Sequence, residues 1–174
     1  MIEGRRLVFG VSGLLYQGNL LFFDRETDSL WSQLLSEAVT GFMAGTRLAV
    51  LPAENTTWAA WRNKYPKTLV MSLVTGYQRN YAEDPYKEFP LARDEALLVS
   101  LQGVTKIYPL GQLKKANPVI VDQLGGDSVT IEFDKKSKTA LVRGADPKRL
   151  IFFVSFLGKL KAFYPEAEIY RFQH

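Results

Sequence analysis

The sequence predicts an α+β fold, mostly antiparallel β with two or three helices, built from two related halves packed together. Three observations predict it. Many short apolar runs are separated by turn chemistry. Aromatic residues reach 13% of the 174, a supply suited to a β-rich core. Two stretches also read as copies of one unit. Trp58-Ala59-Ala60-Trp61-Arg62-Asn63-Lys64-Tyr65-Pro66 precedes Thr68-Leu69-Val70-Met71, and Leu157-Gly158-Lys159-Leu160-Lys161-Ala162-Phe163-Tyr164-Pro165 precedes Glu168-Ile169-Tyr170-Arg171. Each is an aromatic or apolar helix, a Tyr-Pro stop and a short strand, and a doubled unit points to an architecture of two related parts. The expected division is a first unit over residues 1–75, an ordered connecting loop over 76–95 and a second unit over 96–174, together one compact structural domain.

The elements follow in order. Residues 6–11 alternate loosely and read as a strand, and residues 20–24 form a second apolar run. The turn chemistry of Leu15-Tyr16-Gln17-Gly18-Asn19 between them makes a hairpin. Residues 29–35 fit strand or helix, since their alternation settles neither. Residues 46–51 read as a strand stopped by Pro52. Asn55-Thr56-Thr57 supplies N-cap chemistry for a helix through Trp58, Trp61 and Tyr65. Trp58 and Trp61 share a face of that helix, which reads as core-facing. Pro66 ends it, and residues 69–73 follow as a strand.

Beyond the connecting loop, residues 97–101 and 105–108 flank Gln102-Gly103, a tight hairpin signal. Residues 110–116 read as a short helix. Val119-Ile120-Val121 leads to the turn Gly125-Gly126, and residues 129–133 and 139–142 flank a further hairpin turn over 134–138. Asp146-Pro147 can start a helix running to about Phe163, with Phe153, Phe156, Leu157, Leu160 and Phe163 on a broad apolar stripe. Residues 168–172 close as a strand.

Composition excludes several classes of chemistry. With no cysteine there is no disulfide, thiolate nucleophile or Cys-based metal site, and the single histidine is the last residue, His174. A Ser-His-Asp triad or a multi-His metal centre is therefore not expected, and neither metal nor cofactor is assigned. The net charge of +4 arises after residue 94, at Lys114-Lys115, Lys135-Lys136, Lys138 and Lys148-Arg149. These positions read as solvated turns, without the clustered basic and aromatic residues of a nucleic-acid surface. No apolar run approaches the roughly 18 residues of a transmembrane span, and no secretory signal is read.

A family resemblance emerges from longer strings. Leu7-Val8-Phe9-Gly10-Val11-Ser12-Gly13-Leu14-Leu15, Phe23-Asp24-Arg25-Glu26-Thr27 and Ser29-Leu30-Trp31-Ser32-Gln33 resemble a bacterial family known as domain of unknown function 3179. Gly45-Thr46-Arg47-Leu48, Arg79-Asn80-Tyr81 and Asp84-Pro85-Tyr86 continue the likeness, as do Ile107-Tyr108-Pro109-Leu110, Asp122-Gln123-Leu124-Gly125-Gly126 and Phe163-Tyr164-Pro165-Glu166. The resemblance implies that the first unit is incomplete, lacking an upstream segment with a Cys-x-x-Cys-like motif. It also implies an exported or envelope setting. It brings no established activity.

Candidate site residues concentrate in the first unit: Ser12, Asp24, Arg25, Ser29, Trp31, Gln33, Arg79, Tyr81 and Tyr86. They combine polar tips with aromatic bodies, which suits a small-ligand pocket and equally a packed joint. Asp24, Glu26 and Asp28 imitate the start of a calcium loop, but Ser29 stands where glycine is required and Leu35 where glutamate is required. The structural reading is a turn in which the Asp24 carboxylate caps backbone N–H groups and Arg25 pairs with a neighbour. Ser12 and Ser29 have no histidine base. Carboxylates are plentiful for acid/base work, but their pairing is not written in the sequence. The expected function is a non-enzymatic ligand-binding or scaffold domain whose partner is an unspecified small molecule or protein. The alternative is a hydrolase or transferase using Asp24, Arg25 and a tyrosine of the 77–86 loop.

Overall fold

The computed structural model describes residues 4, 6–51, 53, 56–72, 94–144, 146 and 149–172. Residues 76–93 of the expected connecting loop lie outside them. The chain opens with an antiparallel meander of β1 (Phe9–Tyr16), β2 (Asn19–Asp24), β3 (Leu30–Ser32) and β4 (Glu37–Thr40). Helix α1 (Trp58–Lys64) follows. Next come the hairpin β5 (Glu95–Leu101) and β6 (Val104–Pro109), then α2 (Leu110–Leu113). A second meander contains β7 (Val119–Leu124), β8 (Asp127–Asp134) and β9 (Thr139–Gly144). Strand β10 (Leu150–Phe156), helix α3 (Leu157–Phe163) and strand β11 (Glu168–Ile169) close the described chain. The fold is α+β and mostly antiparallel, with one parallel pairing, β11 on β6.

The central sheet has the order β10-β5-β6-β11. Its strand β5 carries an unbroken apolar run, the pattern of a strand covered on both faces. Ala96, Leu97, Leu98 and Val99 are each at most 1% exposed. Period-two alternation divides them. Leu97, Val99 and Leu101 join Val129, Ile131, Phe133 and Val142 in a core shared with the second meander. Ala96 and Leu98 join Ile107 and Leu160 beneath α3. The N-terminal meander holds a smaller cluster of Trp31, Ala38 and Met43.

Tight turns fix the registers. Gln17-Gly18, Gln102-Gly103 and Gly125-Gly126 all have positive φ at both positions, as the mirror-image turns favoured by hairpins require. Gly125 is needed for a second reason: a Cβ there would lie 2.6 Å from the Leu101 carbonyl oxygen.

Several expectations are corrected. The helix expected from Asp146 to Phe163 divides into a strand and a helix, with Pro147 outside the described residues. Ile151-Phe152-Phe153-Val154 is rich in β-branched and aromatic side chains, and β10 pairs with β5 along all seven of its residues. The helix begins only at Leu157. Residues 46–51 form no strand. A single bridge joins Arg47 to Glu37, and the Leu48 N–H donates to the Ser36 carbonyl at 2.8 Å. Residues 69–72 of the strand expected over 69–73 belong to no ladder, and Leu69, Val70 and Met71 are 96%, 65% and 86% exposed. Helix α1 forms on its Thr57 cap but buries no residue; Trp58 is exposed rather than core. Among the described residues no helix is long and apolar enough to cross a membrane.

One buried ion network ties the central sheet to the second meander. Lys106 of β6, only 8% exposed, places its Nζ 3.0 Å from Asp122 Oδ2 of β7 and 2.7 Å from Glu168 Oε1 of β11. The Tyr108 hydroxyl donates to the same Asp122 oxygen at 2.9 Å. Burial alone would lower the Lys106 pKa, but its bonds to Glu168 and Asp122 outweigh burial and raise it. The charge therefore stabilises the fold below the ordinary lysine range, and that stability is lost as pH rises through the folded value. Lys106→Ala would strand a half-buried carboxylate, so we expect a loss of about 3 kcal/mol. Glu168, 71% exposed at its side chain, contributes less, and Glu168→Gln should cost under about 1 kcal/mol. Urea unfolding followed by far-UV circular dichroism checks this ranking, and equal losses would contradict it.

Candidate functional site

The strongest polar cluster of the sequence is built by the β2–β3 turn. Asp24 ends β2, and its side chain is fully buried. One carboxylate oxygen, Oδ1, accepts from the Thr27 N–H at 2.6 Å and from Thr27 Oγ1 at 2.8 Å. The other, Oδ2, accepts from Thr27 Oγ1 at 2.9 Å and from the Trp31 indole N–H at 2.8 Å. Thr27 Oγ1 lies 2.7 Å from Ser29 Oγ, which accepts the Met43 N–H at 3.0 Å. Turn backbone closes the knot, with Asp28 N–H donating to the Asp24 carbonyl and Asp28 at φ 54°. Gly41 abuts it, since a Cβ there would come within 2.7 Å of Ser29. Burial by itself would raise the Asp24 pKa, but bonds from Trp31 and Thr27 prevail and lower it. Folding favours the ionised carboxylate, and its acceptor sites face inward. A proton-transfer role calls for the reverse, a carboxyl tuned toward neutrality and open to a substrate.

The structure gathers three of the predicted site residues, Asp24, Ser29 and Trp31, into this knot. Arg25 turns outward; its guanidinium sits 5.7 Å from the ring centre of Phe23, and its backbone N–H donates to the Val8 carbonyl at 3.0 Å. Ser12 serves the irregular register of β1, donating to the Leu21 carbonyl at 2.6 Å and accepting from the Leu14 N–H at 3.1 Å. Gln33 is exposed and lines a small apolar hollow of about 240 Å³ with Phe9, Phe22, Trp31 and Leu48. Phe9 meets Trp31 edge to face at 5.5 Å. Arg79, Tyr81 and Tyr86 lie outside the described residues.

Two features escaped the sequence reading. The Lys106–Asp122–Tyr108–Glu168 network is one; its signal was a lysine inside the apolar strand Thr105-Lys106-Ile107-Tyr108. The other is a second turn of the same design. Asp134 accepts from Lys136 N–H, Ser137 N–H and the Ser137 hydroxyl, and Ser137 Oγ lies 2.8 Å from Thr139 Oγ1. Lys138 there has φ 56°. The shared spacing, 24/27/29 and 134/137/139, was the available signal. A larger groove of about 700 Å³ lies beside this second turn, between α1 and the second meander. It contains none of the predicted site residues.

Asp24→Asn would turn an amide N–H toward a donor and leave buried partners unsatisfied. We expect a loss of about 2–3 kcal/mol at pH 7. The sign with pH follows from the lowered pKa: the stabilisation is complete above about 3.9, the ordinary value, and is lost as pH falls through the folded value. The gap between wild type and Asp24→Asn should therefore narrow as pH falls below that ordinary value. Urea titrations read by tryptophan emission check it, and a gap unchanged at low pH would contradict the role given to the anion.

The family pattern described as Protein of unknown function (DUF3179) matches residues 1–96. No curated protein and no solved structure matches the chain. The matched stretch contains the whole N-terminal meander, the Asp24 knot and α1, and covers more than half of the sequence. The chain belongs to the DUF3179 family.

Proposed function

We propose that the protein is a non-enzymatic scaffold domain that contacts a partner through the apolar surface of its N-terminal meander. One observation carries this reading. The buried polar groups of the knot are consumed internally, while large apolar side chains crowd the surface of edge strand β1. Phe9, Val11, Leu14, Leu15 and Tyr16 are 42%, 66%, 53%, 67% and 41% exposed. The ladder register puts Phe9, Val11 and Leu15 on one face of β1, and exposed apolar side chains on a shared face mark a contact surface more often than a catalytic one. The apolar hollow floored by Trp31 adjoins this strand and suits an apolar side chain of the partner. The exported or envelope setting rests on the family resemblance alone.

The alternative enzyme would need Asp24 and Arg25 to converge on an open cleft, with a carboxyl pKa tuned toward neutrality. Asp24 is buried with a lowered pKa, and Arg25 points away.

Two measurements test the proposal. The double variant Val11→Asp/Leu15→Asp should keep its melting temperature and lose at least half of its binding of an apolar fluorescent dye. Dye binding unchanged by both substitutions would sink the surface assignment. Chromogenic esters, phosphoesters and glycosides should show no turnover above buffer. Turnover abolished by Arg25→Ala at an unchanged melting temperature would establish the enzyme instead.

A further inference from the structure

Three strands of the central sheet present side chains in rows on the face that carries α3. One row is Phe153, Leu98 and Ile107, and the next is Ile151, Ser100 and Thr105. Helix α3 covers the first: Leu160 is fully buried with Ala96, Leu98 and Ile107, and Phe153 packs beside them. The second row has no place in that cluster. It carries two hydroxyls where the alternation of β5 and β6 sets apolar side chains. Thr105 Oγ1 donates to Ser100 Oγ at 3.1 Å.

A cavity of about 310 Å³ lies over this row, and every residue lining it is among those described. Its floor is Leu98, Ser100, Thr105, Ile151 and Phe153. The N-terminal meander and the loop after it supply the opposite wall through Leu35, Val50 and the Glu37–Arg47 ion pair. Arg47 Nε lies 3.0 Å from Glu37 Oε2, so the two charges cancel there. The Tyr164 hydroxyl donates to the Leu34 carbonyl at 2.6 Å and fastens the end of α3 to the same wall.

Each feature restricts the occupant. Small-molecule sites begin at roughly 300 Å³, so this volume suits a single ring. One bond between two hydroxyls leaves a donor and several acceptor positions for a ligand. A purely apolar guest would strand them. An ion would meet a pair of charges already neutralised by each other. A pyranose answers both conditions: its C–H face suits Leu98, Ile151 and Phe153, and its hydroxyls both donate and accept. We propose that this cavity is a binding site for a neutral monosaccharide, held between the N-terminal meander and the central sheet. The site shares only Leu48 with the apolar hollow beside β1, so it is additional to the partner surface. One wall comes from the residues matched by the family pattern and the floor from residues beyond them; the ligand therefore bridges the two parts of the chain.

Glucose, galactose and mannose, titrated separately into the full chain and followed by amide NMR, test the site. At least one should give saturable shifts centred on the Ser36, Ser100 and Thr105 amides. Ser100→Ala/Thr105→Val replaces both bonded hydroxyls by apolar groups of similar shape, so the melting temperature should hold. Affinity should fall at least tenfold in that variant, the scale of two lost hydrogen bonds. Arg47→Ala, at a side chain 81% exposed, should weaken binding severalfold on an intact fold. Shifts that are absent, or that grow without saturating, for all three sugars overturn the site. So does an affinity unchanged in the double variant. Should the double variant melt lower, Arg47→Ala decides alone, and unchanged affinity there overturns the site. Tighter binding of glucose 6-phosphate than of glucose overturns the neutral class.

Discussion

Everything in the C-terminal part of the molecule depends on burying strand β5 on both faces. Its consecutive side chains belong to two different cores, one shared with the second meander and one lying under α3. A strand in that position cannot slip by one residue without exchanging the two sets. The register of β5 therefore sets where β6, β10 and α3 sit. The continuous ladder with β10 and the two-residue turn into β6 are the local devices that hold it.

The two buried charges obey one logic at two scales. Asp24 is an anion satisfied almost entirely by its own turn and by one indole, so it organises a local knot. Lys106 is a cation satisfied by carboxylates from two other strands, so it organises tertiary structure. In both, the hydrogen bonds outweigh the desolvation that burial imposes, and the charged state is favoured on folding. Such groups are poor candidates for chemistry, because a reacting substrate would have to displace partners that hold the fold.

How much was legible in the sequence can be read from individual residues. Gln102-Gly103, Gly125-Gly126 and the turn over 134–138 announced their hairpins through backbone requirements that are local. Thr57 announced α1 for the same reason. Residues 150–156 misled, because Phe153 and Phe156 fit a helical stripe equally well and only the pairing with β5 decides for strand. Residues 69–71 misled in the opposite direction: their strand propensity is genuine, yet among the described residues they join no ladder. At the site, the capping role of Asp24 was readable from its turn. The involvement of Trp31 and Met43 was not, since it depends on how β3 and the loop after β4 return to the turn. Lys106 was invisible as a network because its partners lie 16 and 62 residues away.

The distribution of strand pairings also shapes the order in which the molecule assembles. Both meanders close through short turns, so their contacts carry little loop-closure entropy. The central sheet differs, because Leu101 meets Leu150 only after the entire second meander has been looped out. Non-local pairing of this kind governs the folding rates of small domains. By loop-closure entropy the meander pairings form at less cost than the docking of β10 onto β5, the pairing that closes the longest loop of that sheet's antiparallel ladders. The most deeply buried strand of the molecule is then among the last to acquire its full complement of neighbours, and a folding chain exposes its apolar run until that step is complete.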